Sequence, residues 1–458
     1  MDFQSSDAMP IQEMSRRRLF FHLKESSSQS LLLDRICLFF LTTTLWSSIF
    51  QIFTLPTGGF YPSLTLLSSL ALIPFTLRYL RFLAFPPTIA LIGLMGCFAV
   101  SLVWSSDVLA GVRTLVNTLP FLLIFMAATA ITLTRKERML RALRIFFLLF
   151  LIQAVLVIAF RISPGLKMAF LGSPVAIPFV GANALEAVFE PTGGVNVVDP
   201  EKSGGFFTNG NVAAAFSGCC ALLAVATSMI TGCRRTRIIA FVAWISVFFT
   251  GSKSAMAMAL VIPALAAFAF VFLIPQCSSW RLPFTAAFAI GLCAVASVLL
   301  SPAFQNSDLM TSTDTTLKLR QEIWSFAGDQ FPRHIWLGHG FGGWEEAFAP
   351  IYRQFGLRNA VPPHNTFILL WSQSGIVAAI FGLAFMCAII VASVRGFSAN
   401  DVVLRILAIG TLGSFLWLFI HGLGENEGII GELHFQPVMA VTLGMLRART
   451  LALRGIRA

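Results

Sequence analysis

The chain has 458 residues, 57% of them hydrophobic and only 12% charged, with a formal net charge of +11. A charged fraction about half the globular norm of roughly 25% excludes a soluble domain. The basic residues lie in short clusters between apolar runs, a pattern that records membrane topology and argues against a nucleic-acid partner.

Residues 1–30 are polar and basic and read as a cytoplasmic N-terminal tail. The first apolar run, 31–54, is too long for a signal-peptide core. About 20 apolar residues cross a bilayer. On that measure twelve spans are expected, near 31–54, 60–77, 85–104, 114–133, 145–162, 211–232, 238–250, 255–274, 283–302, 366–393, 405–422 and 429–446. The clusters Arg16–Arg18, Arg78 with Arg81, Arg135 to Arg144, Arg234 to Arg237, and Arg447 with Arg449 fall on alternate connections, which puts both termini in the cytoplasm. The expected fold is thus an all-α polytopic membrane protein of about 12 transmembrane helices. Residues 31–302 hold spans 1–9 and an outward segment at 163–210; residues 303–364 form a long, partly helical outward loop between spans 9 and 10; residues 365–458 hold spans 10–12 and a basic cytoplasmic tail. The eight cysteines lie in apolar runs or beside basic loops, with none between Pro302 and Pro363, so neither a disulfide framework nor a cysteine-based metal site is expected.

Four outward-facing motifs carry chemistry. In "GGFFTNGNVAAAF" (204–216), Asn209 and Asn211 stand at the mouth of the sixth span, where asparagine also serves as a helix cap. In "FTGSKSA" (249–255), Lys253 interrupts a long uncharged stretch. The 13-residue run Ile238–Thr250 rises only about 20 Å against a hydrocarbon core of about 30 Å. Unless the span starts within the basic loop, Lys253 is therefore expected below the outer surface in a protein-lined recess, where a cation needs an anion and none is near in sequence; the alternative is a lysine that snorkels to the surface. In "LKLRQEIWSFAGDQF" (317–331), Leu317, Arg320, Trp324, Ala327 and Phe331 recur at helical spacing, which predicts a helix on the membrane surface with Arg320 one turn before Trp324. "GHGFGGWEE" (338–346) follows as a glycine-rich turn without the Lys-Ser/Thr ending of a nucleotide-binding loop. Last, "VPPHNTFILLWSQSG" (361–375) delivers His364 and Asn365 to the start of a span, Asn365 being a good cap. Two cations, an imidazole and amide donors on one face of a membrane suit pyrophosphate oxygens and a hydroxyl proton.

The order of these motifs resembles that of the O-antigen ligase and polymerase superfamily of bacterial inner-membrane proteins. Members carry G-x-F-x-N-x-N at a span mouth, a T-x-S-R-type segment, a periplasmic loop with R-x-x-x-W and a G-x-G turn, and P-H-N before another span. Gly205, Asn209, Asn211, Lys253, Arg320, Trp324, Gly338, Gly340, His364 and Asn365 fall in that order, over about residues 200 to 395. Gly210 stands where proline is usual, Lys253 where arginine is common, and Gln373 where an acidic residue often follows P-H-N; Glu345 and Glu346 in the loop could fill that acidic role, the alternative being that they are simply solvated.

The resemblance implies a glycosyltransferase that moves a glycan from polyprenyl pyrophosphate to an acceptor hydroxyl on the periplasmic side, in the inner membrane. His364 and Arg320 would be catalytic, and Lys253, Asn209, Asn211, Trp324 and Asn365 would bind substrate. Its partners would be the lipid-linked donor, a lipid or glycan acceptor, and membrane lipids. No cofactor or metal is expected, and the sequence has no D-x-D pair to hold a divalent cation. Within the superfamily the ligase reading, with lipid A-core as acceptor, is preferred over an O-antigen or exopolysaccharide polymerase. From another class, a lipid-linked glycan flippase would place charges deep in several helices, whereas these cluster at the outer ends and in a loop.

Overall fold

The computed structural model describes residues 32–53, 63–189, 199–273, 308–354, 362–425 and 430–456, with isolated helical residues between 282 and 297. The described residues are helical and contain no sheet. Helix α1 covers 32–47. It is followed by α2 (Leu64–Leu70, continued by short turns to Leu83), α3 (Pro86–Ser101), α4 (Val108–Ile162), α5 (Pro164–Leu171) and α6 (Ala182–Phe189). Then come α7 (Gly210–Thr231), α8 (Arg234–Phe249), α9 (Lys253–Leu273), α10 (Asp308–Gln330) and α11 (Gly343–Gln354). The chain closes with α12 (Thr366–Phe397), α13 (Val402–Gly422) and α14 (Phe435–Leu453). Among the described residues, five helical stretches are long and apolar enough to cross a membrane: Leu64–Leu83, Val108–Ile162, Gly210–Thr231, Thr366–Phe397 and Val402–Gly422. The expected N-terminal tail (1–30) and most of the expected ninth span (283–302) lie outside the described residues.

Two elements differ from the reading of the sequence, whereas the spans expected at 114–133 and 145–162 are two helices that meet at a kink at Arg135 (φ −143°, ψ 49°), both within the range labelled α4. Helix α8 starts at Arg234, inside the basic cluster, four residues earlier than the apolar run suggests. And α10 turns a different face inward. Its buried side is Ile323 and Ala327, packed with Trp344 and Phe348 of α11 and Trp371 of α12. Leu317, Trp324 and Phe331 are exposed.

The core shows why α14 has a weak hydropathy signal. From Phe435 to Leu446 every residue is buried, Gln436 and Thr442 included. It packs on α4, α13 and α7. A helix enclosed by other helices has no need to match lipid. Helix α7 buries Ala213 to Ala215, Cys219, Cys220, Ala221 and Ala224 against its neighbours α8 and α13. In a bilayer, where lipid is as apolar as leucine, such small side chains let helices approach and gain van der Waals contact.

Helix α12 is broken at Gly375 (φ 81°). The loop after α10 fills the gap: His339 N–H donates to Ser372 O at 2.6 Å, and Ile376 N–H donates to Ile335 O at 2.8 Å. Trp371 Nε1 adds a bond to His334 O at 3.1 Å. Backbone groups freed inside a spanning helix must find such partners. A side chain at Gly375 would put its Cβ 1.8 Å from Trp336 O, and one at Gly338 would put it 2.2 Å from Trp371 O. This seam joins the α10–α11 unit to the membrane helices.

Candidate functional site

Two helix starts and one helix end converge on a buried carboxylate. Asn209 caps α7, its side chain accepting from Asn211 N–H at 2.8 Å. Asn365 caps α12, accepting from Phe367 N–H (2.9 Å) and Ile368 N–H (3.2 Å). Its amide Nδ2 donates to Leu423 O at 3.1 Å, and Thr366 Oγ1 donates to Gly422 O at 3.0 Å. The end of α13 is thereby tied to the start of α12, which brings up Glu425, three residues beyond α13.

Glu425 is the hub. Arg320 Nη2 donates to its Oε1 at 2.5 Å, and Asn211 Nδ2 donates to the same oxygen at 3.0 Å. His364 Nδ1 lies 3.2 Å from Oε2. The carboxylate side chain is 10% exposed, with Arg320 at 20% and His364 at 25%. Burial pushes the Glu425 carboxyl up, but the hydrogen bond to His364 and the charges of Arg320 and His364 outweigh it and hold the carboxyl below its usual value. It is therefore ionised at neutral pH. His364 is the only non-glycine residue with a positive φ (48°) among the described residues. An L side chain rarely adopts that conformation, and its cost is of order 1–3 kcal/mol. Trp324, one turn after Arg320, donates from Nε1 to Pro363 O at 3.1 Å and so pins the backbone just before the imidazole. Arg320 Nε is buried without a hydrogen-bond partner, one guanidinium donor beyond the Nη2 committed to Glu425.

The structure brings His364, Arg320 and Asn211 onto one carboxylate and places Trp324 and Asn365 in the backbone that shapes it. Asn209 acts one step back, as the cap that aims Asn211. Lys253 stands elsewhere in the local fold: its charged neighbours are Lys202, Glu201 and Asp199, on the segment leading to Asn209. It is partly exposed, and the acids near it come from about 50 residues earlier in the chain, which a local reading misses. That segment is itself held to α4, α5 and the turn before α9. Lys167 Nζ donates to Asp199 O (2.7 Å) and Lys202 O (3.0 Å), Gln153 bonds Gly204 O and Phe206 N–H, and Ser203 N–H donates to Thr250 O.

Glu425 is the residue that sequence reasoning missed. The acids considered, Glu345 and Glu346, are exposed in the first turn of α11, where a negative charge suits the helix N-terminus. The signal available was "HGLGENEG" (421–428), which sets acidic residues just past a span on the same side as His364. Among the described residues no group of three or more His, Cys, Asp or Glu side chains is placed to hold a metal ion.

The family model described as O-antigen ligase matches residues 238–383. The match contains Lys253, Arg320, Trp324, His364 and Asn365; Asn209, Asn211 and Glu425 lie outside it. No curated protein matches the chain. The ordered motifs, the membrane helices and this match over residues 238–383 together support the O-antigen ligase superfamily.

Proposed function

We propose that the chain is a periplasmic-side O-antigen ligase of the bacterial inner membrane, moving a glycan from polyprenyl pyrophosphate to a hydroxyl of lipid A-core. The observation that carries the reading is the Glu425 hub, which gathers Arg320, His364 and Asn211 from three distant segments at one end of the helices. With the carboxylate accepting from Nδ1–H, the His364 tautomer leaves Nε2 as the basic nitrogen. The acceptor oxygen then bonds the anomeric carbon as the bond from that carbon to the pyrophosphate oxygen breaks. The acceptor proton passes to His364 Nε2, and the electron pair leaves on the pyrophosphate. Glu425 stabilises the imidazolium so formed. The partly exposed Arg320 guanidinium faces the growing negative charge of the leaving group, a role that suits guanidinium. Lys253 serves the donor phosphates from the Asn209 side.

The test is transfer of a defined polyprenyl-pyrophosphate glycan by purified protein, with lipid A-core and a second lipid-linked repeat offered as rival acceptors in excess EDTA. Product on lipid A-core is expected, with none from His364→Ala at matched protein level. Product on the lipid-linked repeat alone would make the chain a polymerase. Near-normal transfer by His364→Ala would remove the imidazole from the chemistry. An Asp314→Cys variant labelled by an impermeant thiol reagent only after lysis would overturn the orientation.

A further inference from the structure

At the end of the helices opposite Glu425, a groove of about 660 Å³ opens between the last turns of α12, the start of α3 and the end of α14. Its floor is apolar, with Cys387, Val391 and Leu446 among the lining residues, and its rim carries Arg395, Arg447 and Arg454. Arg447 is fixed in place: Nη2 donates to Ala84 O at 3.1 Å, the guanidinium stacks 4.8 Å from the centre of the Phe85 ring, and Nε is buried without a partner. No carboxylate lines the groove. Two acids at this end are engaged elsewhere. Asp401 takes Arg449, with Nε donating to Oδ1 at 2.9 Å, and Asp34 lies beside Arg78 and Arg135. Three guanidinium groups thus share one groove with no carboxylate among its lining residues.

We propose that this groove binds an anionic glycerophospholipid of the adjoining leaflet, its phosphate among Arg395, Arg447 and Arg454 and an acyl chain in the trough along α12. Guanidinium pairs with phosphate oxygens bidentately. Basic pockets between spanning helices suit such headgroups, each arginine adding about 1 kcal/mol of attraction. The apolar floor supplies what a free anion would not need. Exposed Val391 and Leu453 continue it outward to where lipid tails lie.

Delipidated full-length protein in detergent is titrated with dioleoylphosphatidylglycerol or dioleoylphosphatidylcholine, which share chains and phosphate but differ in net charge. Bound lipid is counted by native mass spectrometry. The rate of maleimide addition at Cys387, an exposed thiol in the trough, is followed by peptide mapping. Phosphatidylglycerol should bind more tightly and slow addition at Cys387. The Arg395→Gln/Arg454→Gln variant should bind it about 30-fold more weakly, from two arginines lost. Both residues are exposed, so their loss should not disturb folding. Arg141→Gln, an exposed arginine outside the groove, should leave binding unchanged. Equal retention of the two lipids would overturn the proposal, as would an Arg141→Gln defect matching that of the pair. Protection of Cys387 by inorganic phosphate alone would show that the ligand is the free anion and not a lipid.

Discussion

Replacing Glu425 with glutamine tests the hub most directly. The change keeps the shape and one acceptor oxygen but removes the charge that faces Arg320 at 2.5 Å and His364 at 3.2 Å. A hydrogen bond to a charged group is worth about 1.5–3 kcal/mol. In the reaction the affected bond is the one from His364 Nδ1, which strengthens as the ring becomes cationic. Losing that increment raises the barrier by the same amount and lowers kcat about 10- to 150-fold, at 1.36 kcal/mol per factor of ten. The KM for the donor should move little, because Glu425 meets no phosphate. Glu425→Asp should fall between native and glutamine. The shorter side chain keeps the charge but cannot span Arg320, Asn211 and His364 together. The assay is glycan transfer under saturating donor, at matched folded protein, with kcat and KM separated. Transfer by Glu425→Gln at the native rate would refute the hub as part of the chemistry. A loss seen only in KM would make Glu425 a donor-binding residue and contradict the role given to His364.

Arg320→Ala should be the most severe change at the site. It strands the buried Glu425 carboxylate, which costs about 3–5 kcal/mol of stability and lowers the melting temperature, while Arg320→Lys should restore fold before activity because it keeps charge and loses the fork. Lys253→Arg should retain more transfer than Lys253→Ala if the residue meets the donor anion; equal behaviour of the two would reduce it to a lysine reaching for water. Gly375→Ala should destabilise the seam by at least about 2 kcal/mol, since its φ of 81° and a 1.8 Å approach to Trp336 O leave no room for Cβ, and hydrogen exchange at His339 and Ile376 should rise. His339 gives a pH signature. Burial first, and the neighbouring His334 second, push its ring down to about 4. The unfolded chain therefore takes up the proton first as pH falls. The contribution of His339 is complete above about pH 6.5 and is lost progressively from there towards its folded value. Melting temperatures taken over that interval should fall less for His339→Gln than for the native chain, and parallel curves would refute the assignment.

The residues differ in how far sequence alone reaches them. Asn209 and Asn365 are legible because a cap is local: side-chain oxygen and backbone N–H groups lie within three residues. The spans are legible because lipid demands about 20 apolar residues wherever a helix faces it. The same rule gives only a weak signal for α14, whose neighbours are helices. The motif order pointed to His364 and Arg320, but not to what holds them. Glu425 lies 105 residues from Arg320 and 61 from His364. No periodicity spans such distances. Only the packing of α12 on α13, and the capping of α12 against the end of α13, bring that carboxylate to them. The surroundings of Lys253 were decided in the same way. Its acidic neighbours Asp199 and Glu201 come from a loop held in place by Lys167, Gln153 and Ser203. Composition and local chemistry thus determined that the chain is built of apolar helices of membrane length and where α7 and α12 begin. Tertiary packing alone decided which charges meet, because a charge pair depends on distance in space, and chain separation says nothing about that.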